Sequence, residues 1–384
     1  MPLVSYEPLK SLYLLFQAAT TTFIRIPFWT FLAILGGRPR KSWTIKRTVL
    51  TQLIRHIIRV TEHVGPIFSE PNYHYVDVEA GGVWVPAVPR DFINEELRAL
   101  AVATQAEPIH IPGYWHIPLS GDLPEGGKVV YSLHGGGYSS GSAHKSGLYV
   151  GISNAIASSS PAVKAVFALE YRTSSPRKVN AFPAALFDAL SGYYYLVHNL
   201  KIPAKSIIIE GDSAGGNLAL ALVRYLVRSS VLPIPGALLL LSPWTDLSAS
   251  HDSDPASRST SSFRLYADYN PEVMEELAPA TRAYLGGNGL GSRDWNAYIS
   301  PGSRFRSLEA TSFAGFPPTF ISVGGAEKMY EQIITLAKKM RKDLAEKLVV
   351  YEAVDGSHDV LLFKWQEPER SQTLEAIAGW VTTL

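Results

Sequence analysis

The chain has 384 residues, with 35 Lys and Arg against 34 Asp and Glu, 46% hydrophobic residues and 18% charged ones. This near-neutral balance lacks the basic footprint that neutralising phosphates requires, and no zinc-finger or basic-zipper spacing is present, so nucleic acid is not expected as a partner. The absence of cysteine excludes a disulfide framework, a thiolate nucleophile and a cysteine metal site, and the lack of any Asn-x-Ser/Thr acceptor leans towards a cytoplasmic location.

Residues 1–40 are the most unusual part. Stretches 12–16 and 28–35 are strongly apolar. Lys10, Arg25 and Arg38 nevertheless cut this region into pieces shorter than the roughly 18 apolar residues of a spanning helix, and Pro27 is expected to break any helix running through it. A cleaved signal is not expected, because Phe23, Ile24 and a second apolar block follow Ala18-Ala19-Thr20, where its apolar region would end. Two helical pieces resting on something fit better. The favoured reading is a cap over a cleft. The alternative is contact with a membrane surface, since Lys10, Arg25, Arg38, Arg40, Lys41, Lys46, Arg47, Arg55 and Arg59 face only one acid, Glu7, in this region. Ile45, Val49, Leu53, Ile57 and Val60 recur at helical spacing and predict an amphipathic helix over 44–64.

From residue 128 short apolar runs alternate with helical stretches. Strands are predicted at 129–133, 163–169, 207–209, 237–241, 319–323 and 348–351, and helices at about 144–158, 181–199, 214–229, 328–345 and 368–383. Such alternation predicts an α/β class with a mostly parallel central sheet flanked by helices. The Ser/Asp-rich region 248–312 breaks the rhythm and reads as an insertion beside the sheet.

Two motifs carry chemistry. Gly211-Asp-Ser-Ala-Gly215 lies between a strand and an apolar helix, which puts Ser213 on a sharp turn with small neighbours two residues either side and its hydroxyl at a positive helix end. His134-Gly-Gly-Gly-Tyr138 directly follows the strand 129–133, and its glycines allow amides to turn towards an oxyanion. A nucleophile on such an elbow takes an acid and then a histidine from later in the chain. Only His251 and His358 come after Ser213. His251 sits in the Ser/Asp-rich insertion, whereas His358 follows a strand through Asp355-Gly-Ser357, so His358 is the expected base. Glu327, in the loop after strand 319–323, is the expected acid. Asp246, also after a strand, competes with it, and Asp355 and Asp359 stand too near the histidine in sequence to be favoured. A histidine base predicts a rate that falls on the acid side near pH ~6.5.

With these motifs the chain resembles the hormone-sensitive-lipase-like branch of the α/β-hydrolases, which includes fungal carboxylesterases, steryl-acetate hydrolases and arylacetamide-deacetylase-type enzymes. The resemblance covers residues from about 129 to the C-terminus and rests on His134-Gly-Gly-Gly-Tyr138, Glu170-Tyr-Arg172 with Phe182-Pro-Ala-Ala185, Gly211-Asp-Ser-Ala-Gly-Gly-Asn217, Ser242-Pro-Trp-Thr-Asp246 and His358. It implies the α/β-hydrolase fold with a helical cap: residues 1–120 as N-terminal cap segment and lead-in, and 121–384 as catalytic domain with a cap insertion at about 248–312. It also implies Ser213 as nucleophile, His358 as base, oxyanion amides on Gly136, Gly137 and Ala214, and Glu170 and Arg172 as a structural pair. Family members commonly carry an aspartate as the acid, and Gly324-Gly-Ala-Glu327 looks like a fungal glutamate variant. The implied reaction is hydrolysis of acetyl or short-acyl esters of an apolar small molecule, with no metal or cofactor. An acyltransferase or lactone-forming enzyme would use the same triad, and a silent binding module or a peptidase are the remaining rivals.

Overall fold

The computed structural model describes residues 3–65, 67, 73–174, 180–251, 267–269 and 279–384. Among these, eight strands form one sheet in the order β1-β2-β4-β3-β5-β6-β7-β8. Strands β3 (Lys128–Leu133), β4 (Val163–Leu169), β5 (Ile207–Asp212), β6 (Ala237–Leu241), β7 (Thr319–Gly324) and β8 (Leu348–Ala353) run parallel and are the six expected from sequence. Two further strands, β1 (Gly82–Val85) and β2 (Ile111–Ile117), extend the sheet antiparallel beyond β4. They come from the stretch read as lead-in. Neither has the unbroken Val/Ile/Leu run of a two-sided buried strand; Gly113 and His116 interrupt β2.

The period-two alternation of the central strands divides the core in two. Val129, Tyr131, Leu133, Ile207, Ile209, Leu238 and Leu240 enter one cluster, while Val130, Ile208, Ala237, Leu239 and Leu241 enter the other. The first face is covered by α6 (Ala184–Tyr194), α7 (Ala214–Ser229) and α10 (Tyr330–Leu344), and the second by α5 (Val150–Ser159) and α11 (Glu369–Val381). The intervening helices are α4 (Glu95–Val102), α8 (Pro279–Leu285) and α9 (Arg306–Glu309). Much of the predicted insertion, 252–266 and 270–278, lies outside the described residues.

At the N-terminus α1 (Leu9–Thr20), a wider π turn (Thr21–Arg25) and α2 (Ile26–Ile34) form one uninterrupted helical run. Pro27 therefore does not break the helix as expected. It stands second in α2, just after the π turn, where the changed hydrogen-bond pattern accommodates a residue that has no N–H. The run packs on α3 (Ile45–Val64), which starts where the Thr44 hydroxyl accepts the Arg47 amide at 3.1 Å and ends at Gly65 with φ +80°. α3 in turn is fastened to the catalytic half. Arg47 pairs with Glu369 and donates to the Asp355 carbonyl at 2.8 Å, and the indole of the fully buried Trp43 donates to that same carbonyl at 2.9 Å.

Candidate active site

β5 ends at Asp212 and α7 begins at Ala214, leaving Ser213 on the turn with φ 51° and ψ −117°, a conformation costing about 1–3 kcal/mol that persists only where the surroundings impose it. Two backbone bonds impose it: the Ser213 amide donates to Leu241 O at 2.9 Å, and its carbonyl accepts the Trp244 amide at 2.8 Å. The flanking glycine follows from the same geometry, since a Cβ on Gly215 would lie 1.9 Å from the Leu133 carbonyl oxygen. Ala214, as first residue of α7, contributes one of the unpaired amides at the positive helix end.

The His134–Tyr138 loop leaves the neighbouring strand β3 and passes alongside this turn. Gly136 has φ +104°, and a Cβ there would meet the Ser140 carbonyl at 2.2 Å, so only glycine makes the turn. The Gly135 amide donates to Asp212 Oδ1 at 3.0 Å, and the Tyr138 hydroxyl donates to Asn217 Oδ1 at 2.8 Å, which ties the loop to the elbow and its helix. Tyr138 also stacks on Tyr284, 3.9 Å between ring centres. The amides of Gly136 and Gly137 have no acceptor among the described residues. His134 itself is held neutral, its pKa lowered to about 4 by burial.

The loops after β7 and β8 bring in the other two groups. The Ser213 hydroxyl lies 3.0 Å from His358 Nε2, and His358 Nδ1 lies 2.9 Å from Glu327 Oε2. Glu327 is fully buried, and its second oxygen accepts the Gly324 amide at 2.8 Å. Asp268 bridges the two loops, taking the His358 amide on Oδ1 at 3.2 Å and the Lys328 amide on Oδ2 at 2.8 Å. Asp246 takes no part. It accepts from Ser250 at 2.6 Å, faces His251 Nδ1 at 2.7 Å and receives the Ser248 hydroxyl, a separate buried network. Glu170 and Arg172 do not form a mutual pair either: Glu170 accepts from Ser142 and Ala143 at 2.7 Å each, while Arg172 grips the buried Asp188.

Sequence reasoning set Asp359 aside because it adjoins the histidine. It stands on the other side of the ring, with Oδ2 3.2 Å from the same Nε2 that faces Ser213. Burial alone would lower the pKa of His358, but Asp359, then Glu327 and Asp268, carry it up to about 10, well above the value of 6.5 expected from sequence. Burial raises the carboxyls of Asp359 and Asp212 against the pull of His358; Asp212 adds to the rise of Asp359, and Glu210 to that of Asp212.

A family profile described as alpha/beta hydrolase fold matches residues 129–361. The chain belongs to the α/β-hydrolase family. It is 29% identical over 236 residues to an acetyl-hydrolase of Streptomyces hygroscopicus, 61% of this chain and 67% of that one. It is 30% identical over 259 residues to an ethyl acetate hydrolase of Pseudomonas putida, 65% and 71% of the two chains. About a third of each relative's length thus lies outside the match. Among solved structures it superposes on an esterase/lipase from an uncultured bacterium with a TM-score of 0.56 at 24% identity, covering 87% of this chain and 96% of the other. A hormone-sensitive lipase from a metagenome library gives 0.52 at 24% identity over 77% and 94%. At such identities the superpositions carry the fold alone. Both sequence relatives bear the names of ester-hydrolysing enzymes.

Proposed function

We propose that this α/β-hydrolase cleaves acetyl or short-acyl esters of an apolar small molecule through Ser213, His358 and Glu327. The observation that carries the reading is the hydrogen-bonded chain from Ser213 Oγ through both nitrogens of His358 to Glu327, at 3.0 and 2.9 Å. In this mechanism His358 Nε2 takes the hydroxyl proton as Ser213 Oγ attacks the ester carbonyl, and Glu327 holds the imidazole with Nδ1–H towards itself. The amides of Gly136, Gly137 and Ala214 stabilise the oxyanion. His358 then passes its proton to the leaving alcohol, and water attacks the acyl-enzyme by the same steps to release the acid and restore Ser213. The names of the relatives, acetyl-hydrolase and ethyl acetate hydrolase, support a short acyl group.

The test is covalent labelling of the protein by a fluorophosphonate beside its Ser213→Ala variant, followed by turnover of p-nitrophenyl esters from two to twelve carbons. Labelling and turnover are expected to vanish in the variant and turnover to favour short acyl chains. Undiminished labelling of Ser213→Ala removes the assignment, and a preference for the longest chains removes the short-acyl reading. Products analysed with an added alcohol separate hydrolysis from acyl transfer.

A further inference from the structure

The helical run of residues 9–34 spans roughly 39 Å at ~1.5 Å per residue and carries only Lys10 and Arg25 as charged groups. Thr21 and Ala33 are buried, and the Trp29 ring meets His56 of α3 edge-on at 6.2 Å, so one stripe of the run is used in packing. The rest points away. Leu15 is 67% exposed, Phe16 60%, Phe23 77%, Phe31 58% and Leu35 68%. None of these enters a core cluster. Scattered exposed leucines are ordinary on a soluble protein, but a continuous outward face of large aliphatic and aromatic side chains along one helical run marks a contact surface.

The charge around this face points to its occupant. Arg38, Lys41 and Lys46 are exposed just beyond its C-terminal end, and Glu7 is the only acid in the first sixty residues. A long apolar face with basic residues beside it matches the acyl layer and the anionic headgroups of a bilayer, and fits a face on a second copy of this chain less well, because the basic residues would then confront one another. Among the described residues no helix is long and apolar enough to cross a membrane, and the packing on α3 holds the run flat against the protein.

We propose that residues 9–35 seat the enzyme on the surface of an anionic lipid bilayer, with Leu15, Phe23 and Phe31 among the acyl chains and Lys41 and Lys46 at the headgroups. The seat connects to the active site through α3. Arg55 on that helix donates to the Asp268 carbonyl, and the Asp268 carboxylate holds the His358 amide. If the function proposed above holds, apolar esters then reach Ser213 from the lipid.

Flotation of the full chain with phosphatidylcholine vesicles containing 30% phosphatidylglycerol tests the seat without reference to catalysis. The protein is expected to float with the vesicles and to be released by alkaline carbonate. The triple variant Leu15→Glu, Phe23→Glu, Phe31→Glu, with circular dichroism and melting unchanged because all three side chains are exposed, is expected to lose at least tenfold in bound fraction. Lys41→Glu with Lys46→Glu is expected to weaken binding at low salt and to have less effect in high salt. A wild-type protein that stays at the bottom of the gradient, a triple variant that floats equally well, retention after carbonate, or a stable dimer that the triple variant dissolves into monomers while no form binds lipid would each overturn the proposal. Loss of ester turnover with intact flotation would instead count against the catalytic reading alone.

Discussion

Two carboxyl groups flank the imidazole of His358, one at each nitrogen, and they have opposite consequences. In the proposed mechanism Glu327 on Nδ1 orients the ring and supports the charge that forms on it. Glu327→Gln is therefore expected to reduce kcat by orders of magnitude, approaching the ~10⁴-fold loss when a triad carboxylate becomes an amide, while Asp246→Asn, which touches only its own Ser/His network, costs far less. Kinetics of both folded variants decide this, and the reverse ranking would transfer the role to Asp246. Asp359, on Nε2, shares the nitrogen that accepts the serine proton in the proposed mechanism, and it favours the protonated ring. Since a protonated imidazole cannot act as base, activity rises as pH passes upward through the His358 pKa. The acid limb of kcat/KM is expected above 6.5 in the native enzyme and is expected to move down in Asp359→Asn. A limb at or below 6.5 that Asp359→Asn leaves unmoved would show that Asp359 does not influence the base.

At the scale of elements, Arg47 is one of two buried cations, with Arg55, that fasten α3. Arg47 is 2% exposed and its partner Glu369 6%, so removing the guanidinium leaves a carboxylate in a poorly solvated place. Arg47→Ala is expected to lower unfolding free energy by about 3–5 kcal/mol, the usual consequence of breaking a buried pair, measured by urea denaturation. A loss below about 1 kcal/mol would mean that α3 is held by Arg55, Trp43 and apolar packing instead. The elements that sequence reveals and those it conceals differ physically. The parallel strands and their helices were legible because β-branched runs such as Ile207-Ile-Ile209 and helical stripes such as Leu218, Leu222 and Leu226 each have one structural solution. β1 and β2 were not, because Gly, Trp, Tyr and His interrupt the apolar runs of these antiparallel strands and give no periodic signal. The glycine loop and elbow were legible from steric need, and Glu327 from its position after a strand. Asp359 and Asp268 were not, because their roles depend on which side of a ring a carboxyl lies and on two distant loops meeting.

For the whole molecule, two buried groups, Glu210 and His358, slope stability in the same direction. Glu210 is 1% exposed within β5, and burial carries its carboxyl from the ordinary 4.5 up to about 8. Below both values it is neutral in either state. Between them the unfolded chain ionises while the folded one does not, so stability falls as pH rises until the folded group also ionises. His358, raised to about 10, adds stability that is fully present below the unfolded value of 6.5 and is lost as pH rises through about 10. Both slopes run the same way between pH 6.5 and 8, above the window in which His134, lowered to about 4, opposes them and below that of Lys339, lowered to about 8. The melting temperature is therefore expected to decline over that interval. Glu210→Gln, which keeps the shape and removes the titration, is expected to melt higher at pH 9 and to show a shallower decline. A wild-type melting curve flat over this range would contradict the burial argument.

The distances along the chain between the proposed reacting groups have a separate consequence for how the site is assembled. Ser213 and His358 are 145 residues apart, and Glu327 and His358, 31 apart, hang from β7 and β8 at the far edge of the sheet. A refolding chain that has assembled β3, β5 and the elbow but has not docked that edge possesses its serine without a base. Reactivity towards a fluorophosphonate therefore works as a stopwatch for the last step of assembly. Reagent added at intervals after dilution from denaturant would time the closing of the β7–β8 edge, while far-ultraviolet ellipticity, recovered earlier, would time the collapse of the rest.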